Sequence, residues 1–120
     1  MKRLLPLLTI VSILLLLAMP AFAAEDHPCD HSGTTIESLQ NCVKHAYDMG
    51  YITNKGVALT LLAKTSVAQA ALDHGQPQVA IRLLRSFIQE VNAQAGKSIA
   101  AEHAGHLVEH AQNVIKALAG

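Results

Sequence analysis

The sequence predicts an all-α fold, an antiparallel four-helix bundle with short loops, and three observations carry that prediction. Apolar residues recur at helical spacing in four separate runs. The clearest is Ala80, Leu83, Leu84, Phe87 and Val91, with Ile88 at its edge, one broad stripe at ~100° per residue. The runs are separated by junctions of only a few residues, each holding a glycine: Gly50, Gly75 and Gly96. Short connections of this kind favour antiparallel neighbours. Finally, no sustained alternation of apolar and polar residues is flanked by turn residues, as a strand would require.

A leader precedes the fold. Lys2 and Arg3 form a positive start, Leu4 to Met19 an apolar run, and Ala21-Phe22-Ala23 a small-x-small cleavage site. This is the pattern of a cleaved signal peptide over 1–23, with the mature chain starting at Ala24. A membrane anchor is the competing reading, but the run is short for a span, Pro20 interrupts it, and no second apolar segment follows. No cysteine adjoins the cleavage site, so the expected product is exported, periplasmic or secreted, with no membrane span in its mature form. About 97 of the 120 residues remain, enough for one modest core. They carry seven Lys+Arg against nine Asp+Glu, a net charge of −2 with His neutral. That balance supplies no basic field for a phosphate backbone, so nucleic acid is not expected as a partner.

The mature chain divides into an arm, 24–33, and a helical domain, 34–120. The arm, AEDHPCDHSG, is polar and irregular. Cys29 and Cys42 are the only cysteines, and in an exported chain an even pair is most simply one disulfide. Free thiols or shared metal ligation are the alternatives. The bond would tie the arm to the first helix. That helix is expected to open with a capping box, Thr34 as N-cap and Glu37 reaching back. Ile36, Leu39, Val43, Ala46 and Tyr47 would share its inner face, Cys42 its flank, and Gly50 its end.

The second helix is expected to start at Thr53 as N-cap and to run to about Asp73. Ala58, Leu61, Leu62, Thr65, Ala68 and Leu72 would face inward, leaving Val57, Leu59 and Val67 outside. His74-Gly75-Gln76-Pro77 stops one helix and restarts the next, with Pro77 in the first turn, where its missing N–H costs nothing. In the third helix Phe87, the one mature Phe, belongs at the centre of the core. Arg82, Arg85, Ser86, Gln89 and Glu90 lie on the opposite face. Gly96 ends this helix and Ser98 is the expected cap of the fourth. There Ala104, Leu107, Val108, Ala111, Ile115 and Leu118 would point inward.

These signposts resemble the FIMAH domain, a small helical module of secreted bacterial proteins. The resemblance runs through Leu39, Val43 and the segment Gly50-Tyr51-Ile52-Thr53-Asn54-Lys55-Gly56 to Leu61-Leu62-Ala63-Lys64, Ala68 and Gly75. It continues with Ala80, Leu83 and, most specifically, FIQEVNAQAGK (Phe87 to Lys97). It ends on Ala104, Leu107 and Ala111. It spans roughly 36–118. Members typically sit at the end of large exported hydrolases as non-catalytic modules. The resemblance therefore implies an accessory role, with a protein or cell-envelope partner and no catalytic residues to carry over. Two features depart from the family pattern: Thr65 at a usually apolar position, and the Cys29–Cys42 arm.

Among chemistry-bearing residues the seven histidines stand out. His103, His106 and His110 fall at i, i+3 and i+7 of the fourth helix, within about 60° of one another on its flank. His106 and His110 have the i, i+4 spacing of helix-borne zinc ligands, so a periplasmic Zn, Cu or Ni protein is the alternative function. No HExxH is present, because Leu107, Val108 and Glu109 intervene. A solvated histidine face is the more economical expectation, with no cofactor. His27 and His31 flank Cys29 beside Asp26 and Asp30, a loose metal site only if the thiols stay reduced. A free amine at Glu25 with His27 third would suit square-planar Cu(II) or Ni(II), but needs a poor cleavage after Ala24. His45 and His74 are expected at the surface. Met49 offers little to a haem without CxxCH. No nucleophile elbow or phosphate loop occurs, and the acids are scattered. An enzyme is not expected.

Overall fold

Four amphipathic runs fold as four helices: α1 (Ile36–Asp48), α2 (Lys55–Asp73), α3 (Pro77–Gln94) and α4 (Ala101–Ala119). The computed structural model describes Cys29 and residues 31–120. The leader expected over 1–23 and most of the 24–33 arm lie outside the described residues. Consecutive helices pack on one another and α1 closes against α4. The four thus enclose one apolar cluster centred on Leu39, Val43, Leu61, Leu84, Phe87 and Leu107. Among the described residues there is no strand.

Three helices stop in the same way. Gly50, Gly75 and Gly96 each follow the C-cap and take φ of 83°, 73° and 75°, the left-handed conformation a side chain resists. At the first of them the Tyr51 N–H reaches back to the Ala46 carbonyl at 2.8 Å. That bond satisfies an orphan acceptor of the last turn.

Three of the four helix starts differ from expectation, those of α2 and α4 for one connected reason. Thr35, not Thr34, caps α1: its hydroxyl accepts from the Ser38 N–H at 3.1 Å while the Ser38 hydroxyl donates to the Thr35 carbonyl at 2.7 Å. A Thr–Ser pair thus replaces the Thr34–Glu37 box. Asn54, not Thr53, caps α2, its side-chain oxygen accepting from Val57 N–H at 3.2 Å. α4 starts after Ala100 with no side-chain cap. Thr53 and Ser98, the caps expected from residue type, are used instead to join two loops. Thr53 N–H donates to the Ser98 carbonyl and Ala100 N–H to the Tyr51 carbonyl, both at 2.9 Å. Ile52 and Ile99 pair across this short antiparallel bridge with 1% and 0% of their surface exposed. The α1–α2 and α3–α4 connections therefore meet at one end of the molecule. The most specific stretch of the family resemblance, Phe87 to Lys97, runs from α3 into the second of these connections.

Phe87 is fully buried, with Ala80, Leu84 and Val91 on the same face of α3. Ile81 joins them, and Leu83 is only half-buried. On α2, Val57 is buried rather than outside, whereas Leu59 and Val67 are exposed as expected. Thr65 is fully buried, and its hydroxyl donates to the Leu62 carbonyl at 2.8 Å. A polar residue at an apolar position is tolerated because the helix itself satisfies it. On α1 the buried face takes in Cys42 and leaves Tyr47 37% exposed. On α4 it takes in His110 and Val114, with Val108, Ile115 and Leu118 half-buried. The inner face of α4 is thus rotated by about 45° from the one its apolar residues suggest.

Candidate functional site

The departures on α1 and α4 have a common location. Cys42 on the inner side of α1 is bonded to Cys29, their Cα atoms 4.9 Å apart. The disulfide carries the arm across the α1–α4 seam, as the cysteine count led one to expect. Gly33 lets the arm pass: a Cβ there would lie 3.0 Å from His110 Nε2 and closer still to the Ser38 side chain. Only glycine fits so near the helix surface.

His110 sits beneath the arm with none of its surface exposed. Its Nε2 lies 2.8 Å from Ser38 Oγ and its Nδ1 3.2 Å from Cys42 Sγ. The Ser38 hydroxyl also bonds the Thr35 carbonyl at 2.7 Å, and the Cys42 sulfur, being in the disulfide, carries no proton and can only accept. His110 is a core residue, not part of a solvated face.

The three histidines expected as a metal set have different surroundings. His103 stacks on Tyr51, ring centroids 3.5 Å apart, and lies 5.8 Å from the His106 ring. His106 stacks on His31 of the arm at 4.6 Å and has Glu102 at 3.8 Å. His31 in turn meets His110 edge-on at 6.4 Å, and its Nδ1 is 3.4 Å from Cys29 Sγ. The flank is a chain of imidazoles leading inward from solvent to the disulfide. Burial, then the neighbouring His106, holds the His103 pKa below its ordinary 6.5, against a smaller upward pull from Glu102.

A cavity of about 150 Å³ opens on this seam, lined among others by Cys29, His31, Cys42, His45, Tyr51 and His103. Among the described residues, the side chains whose ligand atoms converge are Cys29, His31, Cys42 and His110, all within 4.8 Å of one another. His103 and His106 stand outside that group. Sequence reasoning missed the pairing of His110 with Ser38 and Cys42 because those partners are 72 and 68 residues away. One local signal was present: His110 shares the Leu107–Val114 stripe, three residues after the first and four before the second.

A second surface feature is simpler. Between α1 and α2 lies an open groove of about 280 Å³, with Tyr47, Ala58, Leu59 and Leu62 on its floor and Lys44, Asp48 and Lys55 on its edges. No described helix is long and apolar enough to cross a membrane. No curated protein and no solved structure matches the chain. A model of the FIMAH domain family matches residues 36–116, from the first residue of α1 to the last turn of α4. By that match across all four helices and both bridged loops, the chain belongs to the FIMAH domain family.

Proposed function

We propose that this protein is an exported, non-enzymatic module that acts by docking on a protein or a component of the cell envelope. Its helices run alternately up and down, as the short connections favour. The observation that carries the reading is the family match over 36–116, because FIMAH domains are accessory modules of extracellular proteins rather than enzymes. The groove between α1 and α2 is the surface best suited to the contact. Leu59 on its floor is 54% exposed and Tyr47 37%, and lysines stand at its edge. An apolar floor with a charged rim is how protein-binding surfaces are commonly built.

Site-specific photo-crosslinking tests this reading. A photoreactive residue in place of Leu59 should give one discrete adduct in the exported fraction of the cells. The same residue at Gln112, exposed on α4, should give none. Absence of any adduct from Leu59, or equal labelling from both positions, would overturn the proposal.

A further inference from the structure

The seam between the arm, α1 and α4 holds two sulfurs and two imidazole nitrogens within 4.8 Å of one another. Zinc bound by two cysteines and two histidines is tetrahedral, with Zn–S near ~2.3 Å and Zn–N near ~2.0 Å. Ligand atoms around such an ion stand within about 4 Å of one another, so the four are already close to the required spacing. We propose that Cys29, His31, Cys42 and His110 form a redox-gated zinc site, closed as a disulfide when oxidised and binding one Zn²⁺ when reduced.

Three features beyond proximity support this site. The first is the placement of His110. Its Nδ1 lies 3.2 Å from Cys42 Sγ, and its Nε2 lies 2.8 Å from the Ser38 hydroxyl. That hydroxyl can accept from Nε2–H once a metal takes Nδ1, because its own proton can go to the Thr35 carbonyl. A metal-bound histidine is usually held in this way, its second nitrogen donating to a fixed acceptor. The second is the orientation of His31, whose Nδ1 is likewise the atom nearest a sulfur, that of Cys29. The third is that one of the two sulfurs stands off the helices. Opening the disulfide around an ion moves the sulfurs apart; Cys42 and His110 are fixed on helices, whereas Cys29 is not in a helix. The displacement can fall on Cys29 while the helices stay packed.

The chemistry balances with an external dithiol as reductant. Its thiolate attacks the half-buried Cys29 sulfur beside the cavity, the Cys29–Cys42 bond breaks, and Cys42 leaves. The second thiol of the reductant then attacks the mixed disulfide and departs as a cyclic disulfide. Two electrons and two protons have passed to the protein, which holds two thiols. Zn²⁺ entering through the cavity displaces both thiol protons to solvent and takes the two thiolates and two Nδ1 lone pairs. A disulfide oxidant reverses the sequence: the thiolates give up two electrons, the sulfur–sulfur bond re-forms, and Zn²⁺ is released.

Co²⁺ is the probe for the test, because thiolate-to-cobalt charge transfer reports sulfur ligation and intense d–d bands report tetrahedral geometry. The mature protein is reduced with a phosphine under argon and titrated beside the untreated disulfide form. The reduced protein should bind one equivalent of Co²⁺ with both signatures, and Zn²⁺ should displace it one for one. The disulfide form should show neither. His31→Ala should keep the charge-transfer band but weaken binding and lose the tetrahedral intensity. Ser38→Ala, which removes the acceptor for Nε2–H, should weaken binding about 10–100-fold. The double change His103→Ala/His106→Ala should leave both signatures in place. Helix content is followed by circular dichroism throughout. A reduced protein that keeps its helices yet shows no charge transfer overturns the proposal. So does one that loses its helices on reduction and does not regain them with Zn²⁺. Loss of the bands in the His103/His106 variant rather than in His31→Ala would equally overturn it.

Discussion

α3 and α4 are neighbours with five buried residues each, yet their interiors are built on different principles. Inside α3 the buried set is all hydrocarbon: Ala80, Ile81, Leu84, Phe87 and Val91. Inside α4 an imidazole takes one of the five positions, held by a serine and a cysteine of α1. Hydrocarbon burial is non-directional and follows from removing area from water. An imidazole can be buried only where its nitrogens meet suitable partners. One helix is thus secured by its own periodicity, the other by chain segments far away in sequence.

The largest expected effect belongs to the hydrocarbon side. Phe87→Ala should cost about 3–5 kcal/mol in urea unfolding, since the ring is fully buried. Arg85→Ala, exposed on the same helix, should fall within about 0.5 kcal/mol of wild type. A loss below about 1 kcal/mol for Phe87→Ala would erase the contrast by showing that α3 does not centre the core.

On the polar side the covalent tie comes first. Cys42→Ser should lower stability by about 2–4 kcal/mol with helix content unchanged at low temperature. Intact mass with and without reductant should differ by two hydrogens in the wild type and not in the variant. Free thiols in native material would remove the tie from the account.

A subtler test separates directional burial from area. Ser38→Ala takes away the hydrogen-bond partner of His110 Nε2 and should cost about 1–3 kcal/mol. Replacing both partners, Ser38→Ala with His110→Leu, should recover part of that loss, because apolar pairs of similar shape leave no polar atom stranded. Strictly additive costs in denaturant unfolding would mean that the pair is not coupled.

The smallest effect is a dependence on pH. His103 has its folded pKa held below 6.5 by burial first and by His106 second. The unfolded chain then binds its proton more readily than the folded one. Stability from this group is present above about pH 6.5 and is lost as pH falls through the lowered folded value. Denaturant midpoints at pH 7.5 and pH 5 should differ in that sense. The His103 ring protons should titrate below 6.5 by NMR, and a midpoint above it would reverse the sign.

Much of the architecture was legible because it rests on local physics. Phe87 at the core, the glycines that stop three helices, Pro77 at a helix start and the Cys29–Cys42 bond all follow from residue type and spacing. The starts of α2 and α4 did not follow, since Thr53 and Ser98 are good caps by type but face each other across two loops. The inner face of α4 was misjudged for a related reason. Reading apolar residues alone drew the face toward Val108 and Ile115, although His110 lies between Leu107 and Val114 in register. The signpost residues of the resemblance gave the family, because they belong to the helices and the bridge. They could not reveal the seam, because Cys29 and His31 lie before the matched residues 36–116.

The bridge between Ile52 and Ile99 has a practical consequence for anyone wishing to build on this scaffold. Of the three connections between helices, two are committed to each other by main-chain hydrogen bonds. Added residues there would pull apart both junctions at once. The third, His74-Gly75-Gln76, is exposed, and its main-chain bonds go to the last turn of α2 and, through the Gln76 carbonyl, to the first turn of α3, not to another loop. Tolerance of insertion follows how the local backbone is buried and hydrogen bonded. The Gly75 turn is therefore the natural graft point for a tag, a fluorophore or a second module.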